Sequence, residues 1–130
     1  VQDTNLICPP PVCQIAAEAA IESGPEWCRR RVPELQDVRD FVVESLSTIG
    51  GRCEITTPDG AFYVCLQLHT DRSDMELVEE LIRSHSVAVL PGSAFGATEG
   101  CSLRLSFGAL DSGSVKEGVG RLRDGLKRLL

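Results

Sequence analysis

The residue whose type and position most invite chemistry is Arg104. It lies in the segment Cys101–Phe107, where apolar and polar side chains alternate, and it belongs to the polar side between Leu103 and Leu105. A guanidinium on a strand is a rigid, planar fork that can bind a carboxylate through two parallel hydrogen bonds. On this pattern alone, Arg104 is either such an anion-binding residue or an ordinary exposed arginine of a strand.

A glycine-rich loop precedes this strand. Residues 91–100 read PGSAFGATEG, with glycines at Gly92, Gly96 and Gly100. Phosphate-binding loops usually run from a strand into the N-terminus of a helix, whose amides and dipole hold the anion. This loop leads into another strand, so we interpret it as a flexible rim that carries Phe95.

The remaining reactive side chains form no recognisable catalytic set. His69 lies two residues before Asp71 in a polar turn, and His85 follows the end of a predicted helix, where a cation suits the helix dipole. The chain has two lysines, Lys116 and Lys127, both on the polar side of the last predicted helix. No lysine is therefore placed on a strand or loop as a nucleophile, and any Schiff-base chemistry must come from elsewhere.

Composition excludes several classes of function. Six cysteines with no C-x-x-C pair and only two histidines lack the spacing of a zinc site. Apolar neighbours, as around Cys65, predict thiols that act as small hydrophobes in a reducing compartment, and therefore a cytoplasmic protein. A formal charge of −6 and few aromatic residues disfavour nucleic-acid binding. No apolar run approaches the roughly 20 residues of a membrane span.

The periodicity of apolar residues changes near residue 50. Residues 1–50 predict helices and loops, with one helix over 12–22, a fresh start capped by Ser23 and Glu26, and a kink or restart at Pro33. The second part begins with two predicted strands, over 53–56 and 61–68, joined by a turn with positive φ at Gly60. A helix opened by Ser73 and Glu76 follows, and then two more strands, over 87–90 and 101–107. The last predicted element is a helix opened by Ser114 and Glu117.

Two helices carry features that packing must explain. The helix opened by Ser73 and Glu76 places four apolar residues on one predicted face: Met75, Val78, Leu81 and Ile82. The last helix contains Gly118, Gly120 and Gly125, each costing about 1 kcal/mol relative to alanine, so we expect close packing against a neighbour there. The order ββαββα indicates an α+β fold, a small sheet of about four short strands covered by helices and preceded by a helical lead-in.

Four motifs then occur in a familiar order. They are TPDGAFY at 57–63, VAVLPGSAFG at 87–96, LRLSFG at 103–108 and EGVGRL at 117–122. Together they resemble the C-terminal small domain of class I/II aminotransferases, which are fold type I pyridoxal-phosphate enzymes. The lead-in, CPPP at 8–11 and QIAA at 14–17, resembles the segment shortly after the cofactor-binding region of an aspartate aminotransferase-like enzyme.

The resemblance covers residues 1–130 and implies a division of labour within them. Residues 1–50 would be a helical inter-domain segment and residues 51–130 the α+β sheet domain. The large pyridoxal-phosphate-binding domain would lie outside the chain, together with the Schiff-base lysine, the aspartate that pairs with the pyridine nitrogen, and the phosphate-binding residues. The resemblance therefore implies no catalytic and no cofactor-binding residue here, and a fragment that is inactive alone.

The family also implies roles for particular residues. The arginine of its LRLS motif grips the substrate α-carboxylate, which implies that role for Arg104. The loop motif implies that Gly92, Ser93 and Phe95 line the substrate cleft. The intact enzyme would be a homodimer that transfers an amino group between an amino acid, aspartate being one candidate, and a 2-oxo acid.

Two other readings of the sequence stay open. One is a free-standing α+β module that binds amino acids, with Arg104 as the carboxylate anchor. The other is the small domain of a fold type I lyase, for instance one that cleaves carbon–sulfur bonds. Because the chain begins with Val1 rather than Met, we expect a fragment; a start codon just upstream of Val1 would favour the binding module.

Overall fold

A computed structural model describes residues 8–130, so the part of the predicted irregular N-terminus at 1–7 lies outside the described residues. Contacts divide the chain into two compact units, Val1–Glu34 and Leu35–Leu130, which are described separately. The helices are α1 (Pro11–Ser47), α2 (Asp74–His85) and α3 (Ser112–Leu129), and the strands are β1 (Cys53–Ile55), β2 (Tyr63–Leu68), β3 (Leu90–Pro91) and β4 (Cys101–Ser106). A short 3₁₀ turn, Gly92–Phe95, follows β3.

The predicted helix break at residues 23–26 is wrong. Helix α1 is helical through both Pro25 and Pro33. The Ser23 hydroxyl donates to the carbonyl oxygen of Ala19, four residues back, instead of capping a new helix. Glu26 pairs with two arginines that follow it on the same helix, at 3.2 and 3.0 Å. Both prolines are exposed, so water can satisfy the carbonyl groups that lose their helical N–H partners.

The four strands form one antiparallel sheet in the order β1-β2-β4-β3, which confirms the predicted α+β fold. Side chains of β2 and β4 alternate between two faces. The inner face is buried and consists of Val64, Leu66, Leu68, Cys101, Leu103 and Leu105. The outer face consists of Tyr63, Cys65, Gln67, Ser102, Arg104 and Ser106, none of which is buried. The predicted alternation in β4 is thus confirmed, whereas Cys65, which we expected among buried thiols, is exposed.

The inner face forms the core of the second unit with one side of each helix. Val42 and Leu46 of α1 lie in the same buried cluster as residues of α2 and α3. In α2 the capping box of Ser73 and Glu76 forms as predicted. Its buried residues are Asp74, Leu77, Val78 and Leu81. Met75 and Ile82, which the spacing placed on one face with Val78 and Leu81, are half exposed.

Strand boundaries and turns also differ locally from the predictions. The strand expected over 87–90 is shortened to Leu90–Pro91, with Leu90 exposed and Val87 and Val89 buried before it. Between β1 and β2, the left-handed conformation falls on Ala61, with φ of 64°, rather than on Gly60. The turn motif therefore marked the right loop and the wrong residue.

The N-cap of α3 and the packing of its glycines could be assigned only from the tertiary structure. Asp111, not Ser114, is the N-cap, and its carboxylate accepts from the Ser114 backbone N–H at 3.0 Å. Gly125 is buried against α2: a Cβ built there would lie 2.8 Å from the Leu81 Cδ2 atom. The expected close packing is therefore right for Gly125, and it is wrong for Gly118 and Gly120, which have no such neighbour within 4 Å.

Candidate carboxylate-binding site

Arg104 lies on the outer face between two aromatic rings. Its guanidinium carbon is 4.3 Å from the centroid of the Tyr63 ring and 4.2 Å from that of the Phe95 ring. Each contact is within the range of a cation–π interaction, worth about 0.5 to 2 kcal/mol depending on exposure. We call this trio the aromatic sandwich. It limits the planes that the guanidinium can adopt.

The strand register places Tyr63 in the sandwich. Residue pairs across β2 and β4 include Tyr63 with Ser106 and Cys65 with Arg104, so Tyr63 is the diagonal neighbour of Arg104 on the same face. The Phe62 ring packs edge-on against Tyr63, with centroids 5.5 Å apart. Gly108 makes room for it, because a Cβ there would lie 2.8 Å from the Phe62 Cγ atom.

The 3₁₀ turn places Phe95 on the other side of Arg104. The turn starts at Gly92, whose added Cβ would clash with the side chain of Ser102 on β4. A buried carboxylate then holds the next residue: Asp74 accepts from the Ser93 backbone N–H at 2.7 Å and from its hydroxyl at 3.1 Å. The residue that ends the turn, Phe95, is about half exposed.

No carboxylate of the described residues pairs with Arg104. Its Nε atom is buried and has no hydrogen-bond partner within residues 8–130. Several other arginines do pair with a carboxylate: Arg83, for example, binds Glu79 at 3.2 Å. An unpaired guanidinium stacked between two rings is prepared to bind a carboxylate, because its orientation is already restricted before the ligand arrives.

Four residues were predicted to form the site, of which three lie in the 3₁₀ turn and one, Arg104, on β4. Arg104 and Phe95 are in direct contact. Gly92 is buried beneath the turn, and Ser93 directs its hydroxyl to Asp74. Sequence reasoning missed Tyr63. Tyr63 lies two residues from Cys65, the cross-strand partner of Arg104. It could be identified as a neighbour of Arg104 only once the register of β2 against β4 was known.

Pyridoxal phosphate, the cofactor that the family resemblance implies, does not fit the described residues by themselves. Lys116 and Lys127 belong to α3, which packs on the inner face, so the sheet separates them from Arg104. The Lys116 ammonium lies 5.6 Å from the ring centroid of Phe41 instead.

Within residues 8–130 no group of acidic, histidine and cysteine side chains is arranged to hold a metal ion. None of the described helices has the length and hydropathy needed to cross a membrane.

Known proteins share this architecture. The sequence profile of the family "Aminotransferase class I and II" matches residues 1–122. An aromatic aminotransferase of Arabidopsis thaliana is 35% identical over the whole chain, and an aspartate aminotransferase of Rhizobium meliloti is 31% identical over 99% of it. The crystal structure of an aromatic aminotransferase from Pyrococcus horikoshii OT3 superposes on 98% of the chain with a TM-score of 0.84 and 28% identity.

The chain therefore belongs to the class I and II aminotransferase family, as its motifs predicted. It spans about a third of the length of its relatives: 32% of the Arabidopsis enzyme, 33% of the Rhizobium enzyme and 34% of the Pyrococcus chain. The matched third contains the α+β sheet and the aromatic sandwich.

Proposed function

We propose that this chain is the C-terminal small domain of a pyridoxal-phosphate-dependent aminotransferase and that Arg104 binds the substrate carboxylate. The observation that carries the proposal is the aromatic sandwich, in which Arg104 has no acidic partner among the described residues. Family membership supplies the reaction class, the exchange of an amino group between an amino acid and a 2-oxo acid.

The geometry indicates how the carboxylate would bind. Because the Nε atom of Arg104 is buried, a ligand has to approach the two terminal nitrogens of the guanidinium. These two nitrogens match the two oxygens of a carboxylate, and the flanking rings keep the fork in one plane. Holding the carboxylate in this way orients the Cα of the substrate, which is the positioning that a transfer reaction requires.

Pyridoxal phosphate would supply the electron sink for the reaction from a site formed by residues outside this chain. The part played by Arg104 does not depend on cofactor contacts. It is the same for an amino acid and a 2-oxo acid, since both carry the carboxylate next to the reacting carbon. A single arginine on the outer face can thus serve both half-reactions.

We propose that this chain binds the shared carboxylate and does not select the substrate side chain. Arg104 is the only basic residue within the four strands, all of which lie in the described part of the chain. A dicarboxylic substrate such as aspartate needs a second cation for its side chain, and these strands offer none. The similar enzymes named above act on aromatic amino acids in one case and on aspartate in another.

The test is substitution of Arg104 in the full-length gene product. Arg104→Lys keeps the charge but loses the planar fork, and we expect the KM of both the amino acid and the 2-oxo acid to rise at least about tenfold. Arg83→Lys is the matched control, because Arg83 is exposed and pairs only with Glu79 of its own helix. Unchanged KM values in Arg104→Lys would contradict the proposal.

The isolated chain separates this proposal from the alternatives. Given pyridoxal phosphate and an amino acid, the 130-residue chain should not transaminate, because neither of its lysines lies on the outer face. Turnover by it would contradict the proposed division of the site. Micromolar binding of an amino acid to it in calorimetry would favour a free-standing binding module. Release of a carbon–sulfur cleavage product by the full-length protein would favour a lyase.

We also propose that the intact enzyme is a cytoplasmic homodimer. The support is the family resemblance for the dimer and the six free thiols for a reducing compartment. Light scattering of the purified full-length protein tests the first part, and fractionation of native cells tests the second.

A further inference from the structure

The buried carboxylate of Asp74 lies outside the aromatic sandwich but is hydrogen-bonded to the 3₁₀ turn that carries Phe95. Asp74 is the only charged side chain that is buried among the described residues, with 9% of its surface exposed. No arginine, lysine or histidine forms an ion pair with it within residues 8–130. Burying an unpaired carboxylate is unfavourable unless hydrogen bonds compensate it. Its two bonds from Ser93, 19 residues further along the chain, provide that compensation.

Asp74 is not needed to cap its own helix. The N-terminus of α2 already has a complete capping box, in which Ser73 accepts from the Glu76 backbone N–H at 3.2 Å and the Glu76 side chain accepts from that of Ser73 at 3.3 Å. The hydrogen bonds of Asp74 are directed instead to the 3₁₀ turn. This turn has no side-chain cap of its own at Pro91.

The turn in turn positions one wall of the aromatic sandwich. Tyr63, the other wall, is held within the ladder of β2 and β4, whereas Phe95 depends on a four-residue turn. The Nε atom of Arg104 has no hydrogen-bond partner, so the two rings restrict the guanidinium plane. We infer that Asp74 is a positioning residue for carboxylate binding: it anchors Ser93, and thereby holds Phe95 against Arg104. This inference rests on the proposed function of Arg104.

The experiment uses the full-length protein and two readouts. One is the KM and kcat of the amino-acid substrate, and the other is the calorimetric Kd of two carboxylic acids without an amino group, 3-phenylpropionate and succinate. Asp74→Ala should raise the KM, and the Kd of whichever acid binds, by about tenfold with little change in kcat, because the ligand meets a less ordered guanidinium. Asp74→Asn should restore most of the affinity, since its amide oxygen can accept from the Ser93 N–H.

Two further variants distinguish positioning from loss of stability. Glu76→Ala damages the same end of α2 without touching the turn, and its KM should stay near that of the wild type. In a double-mutant cycle, Asp74→Ala should have little further effect once Phe95→Ala has removed the ring. Ser93→Ala removes one of the two hydrogen bonds and should give a smaller increase in KM, which keeps the test available if Asp74→Ala does not fold.

The outcomes separate this inference from the proposed function. If Arg104→Lys raises the KM but Asp74→Ala and Ser93→Ala do not, the positioning role is wrong and the carboxylate site stands. If Asp74→Ala has the same effect with and without Phe95, or if Glu76→Ala raises the KM equally, Asp74 acts on stability and the inference is overturned. If Arg104→Lys changes nothing, the proposed function itself fails.

Discussion

Replacing three glycines of α3 with alanine, one at a time, gives a sharp test of the packing. Gly118, Gly120 and Gly125 are all inside the helix, so each substitution gains about 1 kcal/mol of helix propensity. Only Gly125 faces a close neighbour. An added Cβ there would lie 2.8 Å from the Leu81 Cδ2 atom and 3.0 Å from the His85 Cγ atom. The change in unfolding free energy should therefore have one sign for Gly125→Ala and the opposite sign for the other two variants.

The structure sets the size of the difference. Leu81 is completely buried, so it cannot move aside without disturbing the core. Overpacking of this kind typically costs about 1 to 3 kcal/mol, which cancels or exceeds the gain in propensity. We expect Gly125→Ala to lose up to about 2 kcal/mol of unfolding free energy. The other two substitutions add atoms to open space and should gain up to about 1 kcal/mol each.

Thermal and urea unfolding, followed by far-ultraviolet circular dichroism, measure these changes. For a chain of this size, 1 kcal/mol corresponds to a shift in Tm of about 4 °C. Gly118→Ala and Gly120→Ala serve as matched controls, because they change the same residue type in the same helix. If Gly125→Ala raised the Tm as much as the controls do, the close contact between α2 and α3 would be refuted.

Three other predictions concern acid stability, thiol reactivity and the 3₁₀ turn. Hydrogen bonds from Ser93 lower the pKa of Asp74, so the stability they contribute is present above about pH 4 and is lost as the pH falls through the lowered pKa. The Asp74→Asn variant should therefore lose less unfolding free energy than the wild type between pH 5 and pH 2. Burial raises the pKa of Cys53, to about 11, and that of Cys101, so a thiol reagent at pH 8 should label the exposed Cys65 much faster than either; equal rates would contradict the assigned burial. Gly92→Ala should destabilise the fold by about 1 to 3 kcal/mol in urea unfolding and weaken carboxylate binding, because the new Cβ clashes with β4; a silent variant would show that the turn is free to move.

Features that depend on neighbours in sequence were predictable. The alternation of Cys101–Phe107 assigned Arg104 to the polar face because successive strand residues point to opposite sides. The Ser73 and Glu76 capping box formed because its hydrogen bonds are local. The same logic failed at Ser23, where the pattern is present but the hydroxyl bonds to Ala19 within a continuous helix. A local pattern shows which bonds are available, and the surroundings decide which one forms.

Which apolar residues of a helix are buried depends on what packs against it. Met75 and Ile82 have helical spacing with the core residues of α2, yet both are half exposed because the buried stripe is centred on Leu77 and Leu81. Likewise, composition could not tell Gly125 from the other glycines of α3. Periodicity indicates that a helix has an apolar side, but the neighbouring elements set the centre and width of the contact.

The sequence by itself therefore determined the α+β class, the family and the arginine that the site is built around. These inferences rest on local patterns, which hold where the surroundings do not offer the same groups a better partner, as at the Ser73 capping box and along β4. Only the tertiary structure showed that Tyr63 and Phe95 enclose Arg104 and that Asp74 holds the turn through Ser93. These contacts join residues 9 to 41 positions apart, and their geometry follows from strand register and the docking of a turn, which no single segment of the chain specifies.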